Sequence, residues 1–130
     1  DIHEGLTISV GGKFEIGESP EDCVIREVKE ETNLDIIKPK LRGIITFPNF
    51  DGNKDWYTYV FTAKDYTGNL TKDCNEGDLV WVKKNEIQNI KTWEGDYIFL
   101  DWLIQDKPFF SAKFNYKDNK FIDYEVTFYD

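Results

Sequence analysis

Glu27, Glu30 and Glu31 crowd into the short run REVKEE. On a helix, positions i, i+3 and i+4 are surface neighbours roughly 5–6 Å apart, and like charges there repel by a few tenths of a kcal/mol per pair. Something has to offset that repulsion. Solvent together with Arg26 and Lys29 would do so on an ordinary solvated face. A hard divalent cation would do so differently: Mg2+ takes a few carboxylates, keeps several waters and binds phosphate oxygens. A helix carrying such cations would make an acidic chain attractive to a polyphosphate.

The elements that must hold this helix are legible around it. Ser19 can cap free N–H groups and Pro20 suits the first helical position, so the sequence predicts a helix from Pro20 to about Thr32. Glu21 and Asp22 then complement the positive end of its dipole, and Asn33 tolerates the left-handed conformation that often follows a helix. Val24, Ile25, Val28 and Thr32 share an arc about 100° wide, the natural buried stripe, with the three glutamates beside it. Ahead of the helix, LTISV at 6–10 reads as a strand running into the Gly11-Gly12 turn.

Further strands are predicted at 41–47 and 56–63, separated by the turn-rich PNFDGNKD, and at 79–82. Residues 95–105 have helical spacing, and AKFNY and FIDYEVTFY flank KDN as a hairpin. Strands mixed with two helices indicate an α/β fold whose sheet cannot be purely parallel. With 130 residues and no repeat or long flexible linker, one domain over 1–130 is expected.

The 40% hydrophobic and 16% aromatic content excludes a disordered chain, and no apolar run approaches the ~20 residues needed to span a membrane. A formal charge of -9 argues against stable binding to nucleic acid or an anionic membrane surface. Cys23 and Cys74 fit neither a zinc spacing nor a disulfide framework, which points to a reducing cytoplasm. The chain contains no methionine and opens on Asp1 without a signal-like segment, so Asp1 is expected not to be the translation start.

Residues 12–34 also resemble a known motif. The Nudix box reads G-x5-E-x7-R-E-U-x-E-E-x-G-U, with U aliphatic; Gly12, Glu18, Arg26, Glu27, Val28, Glu30, Glu31 and Leu34 fall in register, and only the second glycine departs, as Asn33. Outside the box, ITFPNF, DWYTYVF, NEGDLVWV, TWEGDYIFLDWL and DKPFFSAKF look like bacterial MutT-like Nudix hydrolases that act on oxidised purine nucleoside triphosphates. The resemblance implies a Nudix α/β/α sandwich around a mixed sheet, with the loop-helix-loop at 12–34 and the family's N-terminal strand incomplete or missing. It further implies Mg2+-dependent hydrolysis of a nucleoside triphosphate such as 8-oxo-dGTP to the monophosphate and pyrophosphate, which would cleanse the nucleotide pool and protect DNA. Mn2+ would be a substitute ion. The partner is then a small-molecule nucleotide, and the protein a monomer or homodimer. The rivals are hydrolysis of another nucleoside diphosphate derivative, such as a nucleotide sugar, and a silent nucleotide-binding regulatory domain.

The resemblance also distributes roles. Glu30 and Glu31 match metal ligands, with the Gly11 carbonyl a further one; Glu27 matches a residue that is a ligand or the general base. Arg26 matches an arginine that pairs with the loop glutamate, here Glu18, although a local helix pair with Glu30 competes. Glu76 matches a distant glutamate that completes the acidic site, against a plain turn role beside Gly77. Lys13 would contact phosphate or simply stay solvated. Phe47, Trp93 and Asp96 would contact the base, against core or surface roles. Thr7, Ile8 and Ser9 stand where relatives commonly have W-I-G or W-N-G, so the asparagine that reads the base in some of them is absent. His3 is expected at the surface and Cys23 in the packing, not as a nucleophile.

Overall fold

A computed structural model describes residues 6–11, 14–51, 54–69, 79–81 and 94–130. In chain order the elements are β1 Leu6–Gly11, α1 Pro20–Thr32, β2 Asp35–Ile37, β3 Lys40–Asp51, β4 Lys54–Ala63, β5 Asp65–Thr67, β6 Leu79–Trp81, α2 Asp96–Ile104, β7 Phe110–Lys117 and β8 Lys120–Phe128. Six strands form one sheet in the order β6-β1-β4-β3-β7-β8, while β2 and β5 pair separately. The β3–β7 pair is parallel and the other neighbours in the large sheet are antiparallel, so it is mixed, as the element pattern requires. The expected incomplete first strand would lie ahead of residue 6, outside the described residues. No helix among the described residues is long and apolar enough to cross a membrane.

Alternation along β4 makes the fold a sandwich. Phe61 and Ala63 join Cys23, Val24 and Val28 of α1 in one core cluster. Val60, which points the other way, joins Phe99, Leu100, Trp102 and Leu103 of α2 in a second. The two helices therefore cover opposite faces. On β3 the face changes hands at a bulge: Leu41 pairs with Phe61 and Gly43 with Val60, so Arg42 is the extra residue. Leu41 accordingly packs on the α1 side and Ile45 on the α2 side. The guanidinium of Arg42 reaches Asp106, just beyond α2, with Nη2 donating to Oδ1 at 2.7 Å.

The helix boundaries follow from their caps. Ser19 Oγ accepts the Asp22 N–H at 3.0 Å, and Asp22 Oδ2 accepts the Ser19 N–H at 3.2 Å, a reciprocal capping box. Asn33, at φ 66° and ψ 14°, ends α1 in the left-handed region, its N–H donating to the Lys29 carbonyl at 2.9 Å. One expectation about α1 is corrected. Ile25 is exposed, and Cys23 takes its place in the buried stripe beside Val24, Val28 and Thr32.

That shift moves the glutamates. At ~100° per residue, Glu31 and Glu27 fall about 20° and 60° from Val24, on the side towards Cys23. They occupy the inward flank and are both half-buried. Each fully buried Val or Phe contributes roughly 1.5–3 kcal/mol. Val24, Val28 and Phe61 thus outweigh the few tenths of a kcal/mol that each repelling glutamate pair costs. The core can hold the acidic face in place.

Candidate active site

Arg26 is the hub of the acidic face. Its Nε donates to Glu18 Oε2 at 2.7 Å and its Nη2 to Glu18 Oε1 at 3.0 Å, a two-pronged pair across the loop that precedes α1. Nη1 donates to Glu27 Oε2 at 3.3 Å and to Glu30 Oε1 at 3.2 Å, and it lies 3.7 Å from Glu15 Oε2. The loop pairing with Glu18 and the local helix pairing with Glu30 are therefore both present. Glu18 is fixed from a third direction, because its Oε1 also accepts the Glu15 N–H at 2.8 Å. The Arg26 contact first, and that N–H second, hold the Glu18 carboxyl down to about 2. Glu18 in turn pushes the Arg26 pKa upward, so the pair stays charged throughout the useful pH range.

The three helix carboxylates differ in setting. The Glu27 side chain is 18% exposed and that of Glu30 57%, while Glu31 is half-buried on the inward flank. Glu27 is therefore the shielded carboxylate with a fixed orientation, and Glu30 the open one. Hard oxygen donors on one rigid flank fit the chemistry of Mg2+. Among the described residues no three acidic, His or Cys side chains close on a single point, and Glu76 lies outside them. Gly11 ends β1 opposite Thr58 of β4, and α1 packs against β1.

Cys23 is wholly buried, with Arg26 Nη2 3.7 Å from its Sγ. Burial foremost, then the Glu18 charge, pushes its thiol up. A thiol so placed is a packing group and a poor nucleophile, as expected.

The two described candidates for base contact, Phe47 and Asp96, lie on the other side of the sheet. Ile45 pairs with Thr58, the residue opposite Gly11, and Phe47 stands two positions further along β3, beyond the end of β1. Its ring lies 6.1 Å from Phe114 and 6.2 Å from Tyr116 of β7. Asp96 is the first residue of α2, on the same side. The candidate carboxylates stand on α1, on one side of the sheet, and Phe47 and Asp96 stand on the α2 side, with Phe47 past the residue where β1 stops. Gly12, Lys13, Trp93, His3 and Cys74 lie outside the described residues.

Two residues that chemistry alone does not select also stand on the α2 side. Tyr116 Oη accepts the Gly95 N–H at 2.7 Å, and a Cβ at Gly95 would meet Phe114 Cδ2 and Tyr116 Oη, each at 2.6 Å. Burial, with the Asp96 and Glu94 charges adding to it, raises the phenol to about 12, so it is neutral at physiological pH. The inward alternation of Phe110, Ala112, Phe114 and Tyr116 along β7 is the sequence signal for this side chain; the tight approach of Gly95 has none.

A mixed sheet between two helices thus carries a capped helix whose arginine-gathered glutamates are the hard oxygen donors that cation-assisted phosphate chemistry needs. Family comparison identifies the chain: the NUDIX domain pattern matches residues 1–103, and the chain belongs to the Nudix family. It is 39% identical over 115 residues to the uncharacterized Nudix hydrolase YvcI of Bacillus subtilis (strain 168), spanning 86% of this chain and 73% of that one. Similarity at 29% identity over 89 residues extends to the NAD-capped RNA hydrolase NudC of Vibrio vulnificus (strain CMCP6), covering 64% of this chain and 31% of that protein. The crystal structure of the mutator MutT protein from Bacillus halodurans superposes with a TM-score of 0.75 at 31% identity, covering 88% of this chain and 78% of that one. The protein is thus a Nudix pyrophosphohydrolase acting on nucleotide derivatives, in a family that generally uses divalent metal ions.

Proposed function

We propose that this chain, as a single domain over residues 1–130, hydrolyses an oxidised purine nucleoside triphosphate of the 8-oxo-dGTP type to the monophosphate and pyrophosphate. The observation that carries the reading is the α1 flank, where Arg26 gathers Glu27 and Glu30 while Glu18 anchors it from the loop. The structural likeness to MutT supports the triphosphate class.

Glu30, Glu31, Glu27, the Gly11 carbonyl and Glu76 are the groups that would hold Mg2+. When bound, that ion neutralises charge developing on the phosphate oxygens. Glu27, shielded and oriented by Arg26, accepts the proton of the water that attacks phosphorus. Glu18 acts one step removed: by occupying Nε and Nη2 of Arg26, it leaves Nη1 to set the Glu27 and Glu30 carboxylates. Lys13 meets the phosphate chain. Phe47, Trp93 and Asp96 form the base-contacting wall, with the nucleotide passing round the end of the sheet from its α1 side to its α2 side. The acidic surface disfavours nucleic acid as a substrate, and the reaction belongs in the cytoplasm where nucleotide pools reside.

The similarity to NudC favours a second reading, in which the substrate is another nucleoside diphosphate derivative. A panel of 8-oxo-dGTP, dGTP, a pyrimidine triphosphate, a nucleotide sugar and NAD, assayed with Mg2+, separates the two. The highest kcat/KM should belong to the oxidised purine triphosphate. A higher value for the sugar nucleotide or NAD would overturn the first reading in favour of the second.

A further inference from the structure

The start of α2 is held by an unusual pair of contacts. Gly95, which precedes Asp96, makes no side-chain cap, yet its N–H is taken by Tyr116 Oη at 2.7 Å. Its missing Cβ lets the backbone settle against Phe114 and Tyr116 at a distance no other residue could keep. The same Tyr116 ring lies 6.2 Å from that of Phe47 with a 43° tilt, and 5.6 Å from that of Phe121. One side chain therefore touches both the ring of Phe47 and the backbone that carries Asp96. Phe47 belongs to β3 and Asp96 to α2, and Tyr116 spans the two elements from β7.

We propose that Tyr116 is a positioning residue for base recognition: its hydroxyl, acting through the Gly95 N–H, sets the spacing between the Phe47 ring and the Asp96 carboxylate, and thereby the preference for purine over pyrimidine triphosphates. The inference rests on the purine triphosphate reading above. Tyr116 is not a catalytic residue, since it lies on the α2 side of the sheet, away from the α1 carboxylates. Its loss should register in binding of the base and leave the cleavage step alone.

The test is Tyr116→Phe in the full chain, which keeps the ring against Phe47 and Phe121 and removes the hydroxyl that accepts the Gly95 N–H. KM for a purine triphosphate should rise by up to about tenfold, the ceiling set by the net worth of the one hydrogen bond through which Tyr116 acts. Both kcat and the KM for a pyrimidine triphosphate should hold, so the purine-to-pyrimidine ratio of kcat/KM falls by the same factor. A purely structural role would lower the melting temperature and leave that ratio intact. In a double-mutant cycle with Asp96→Asn, the two effects on purine KM should be non-additive, because one residue acts through the other. A wild-type purine preference that Tyr116→Phe retains, or additive effects in the cycle, overturns the proposal alone. Equal kcat/KM for purine and pyrimidine triphosphates in the wild type overturns the proposal together with the functional reading beneath it.

Discussion

Glu27→Gln is the sharpest perturbation of the acidic flank. The substitution conserves shape and removes one negative charge. The contact it weakens, Arg26 Nη1 to Glu27 Oε2 at 3.3 Å, is longer than the guanidinium's bonds to Glu18 and Glu30. The two prongs to Glu18, at 2.7 and 3.0 Å, stay in place and keep Arg26 where it is. Val24 and Val28, both wholly buried, keep α1 seated on Phe61. The fold should therefore survive with little change in melting temperature. Turnover should not survive, because a positioned general base contributes on the order of 10²–10⁴ in rate. Even the lower bound raises the barrier by about 2.7 kcal/mol. The assay is steady-state pyrophosphate release with Mg2+, with circular dichroism to confirm folding. Glu21→Gln, exposed in the first turn of the same helix, serves as the control and should stay within about twofold of wild type. A folded Glu27→Gln protein turning over within about threefold of wild type would refute the reasoning, since the shielded carboxylate would then have no part in proton transfer.

Asn33→Ala should lower stability by about 1 kcal/mol in urea unfolding, because alanine gains nothing to offset the left-handed backbone at φ 66°; Asn33→Gly should stay within about 0.5 kcal/mol of wild type, and neither should alter kcat. Equal stability of all three proteins would remove the explanation given for this departure from the box. The Glu18 carboxyl titrates near 2 when folded against an ordinary value of 4.5, so its stabilising contribution is complete above about 4.5 and is lost as pH falls towards 2. Urea midpoints measured at pH 6 and pH 3 should accordingly fall more steeply for wild type than for Glu18→Gln, and parallel slopes would contradict the pairing with Arg26.

The parts of this fold written in local chemistry were legible. Ser19, Pro20 and Asn33 mark the ends of α1 through caps that depend on the backbone a few residues away, so their signal is complete in the sequence. The β2–β5 pair was not legible, because a three-residue strand with Asp at its edge has too few positions to show a period. The bulge at Arg42 was hidden for a different reason: its registry is set by β4 and by the distant Asp106, not by neighbouring residues. The most instructive miss is Ile25. Apolarity centres the stripe of α1 on the Val24–Ile25 side, whereas packing centres it on the Cys23 side and draws Glu27 and Glu31 inward. Local preference and tertiary placement part company where carboxylates are held in a half-buried flank, a conflict expected at a functional site. The Glu18–Arg26 pairing was legible only through the motif, because eight residues and a loop separate the partners.

The most direct test of α1 as a cation-dependent face for triphosphate cleavage is one reaction followed by phosphorus NMR: 8-oxo-dGTP with the wild-type chain, first under excess EDTA and then with Mg2+ restored. No cleavage should occur under the chelator, and Mg2+ should yield 8-oxo-dGMP and pyrophosphate in equal amounts. Cleavage that ignores the chelator, or release of orthophosphate with the nucleoside diphosphate, would contradict the role assigned to Glu27, Glu30 and Glu31.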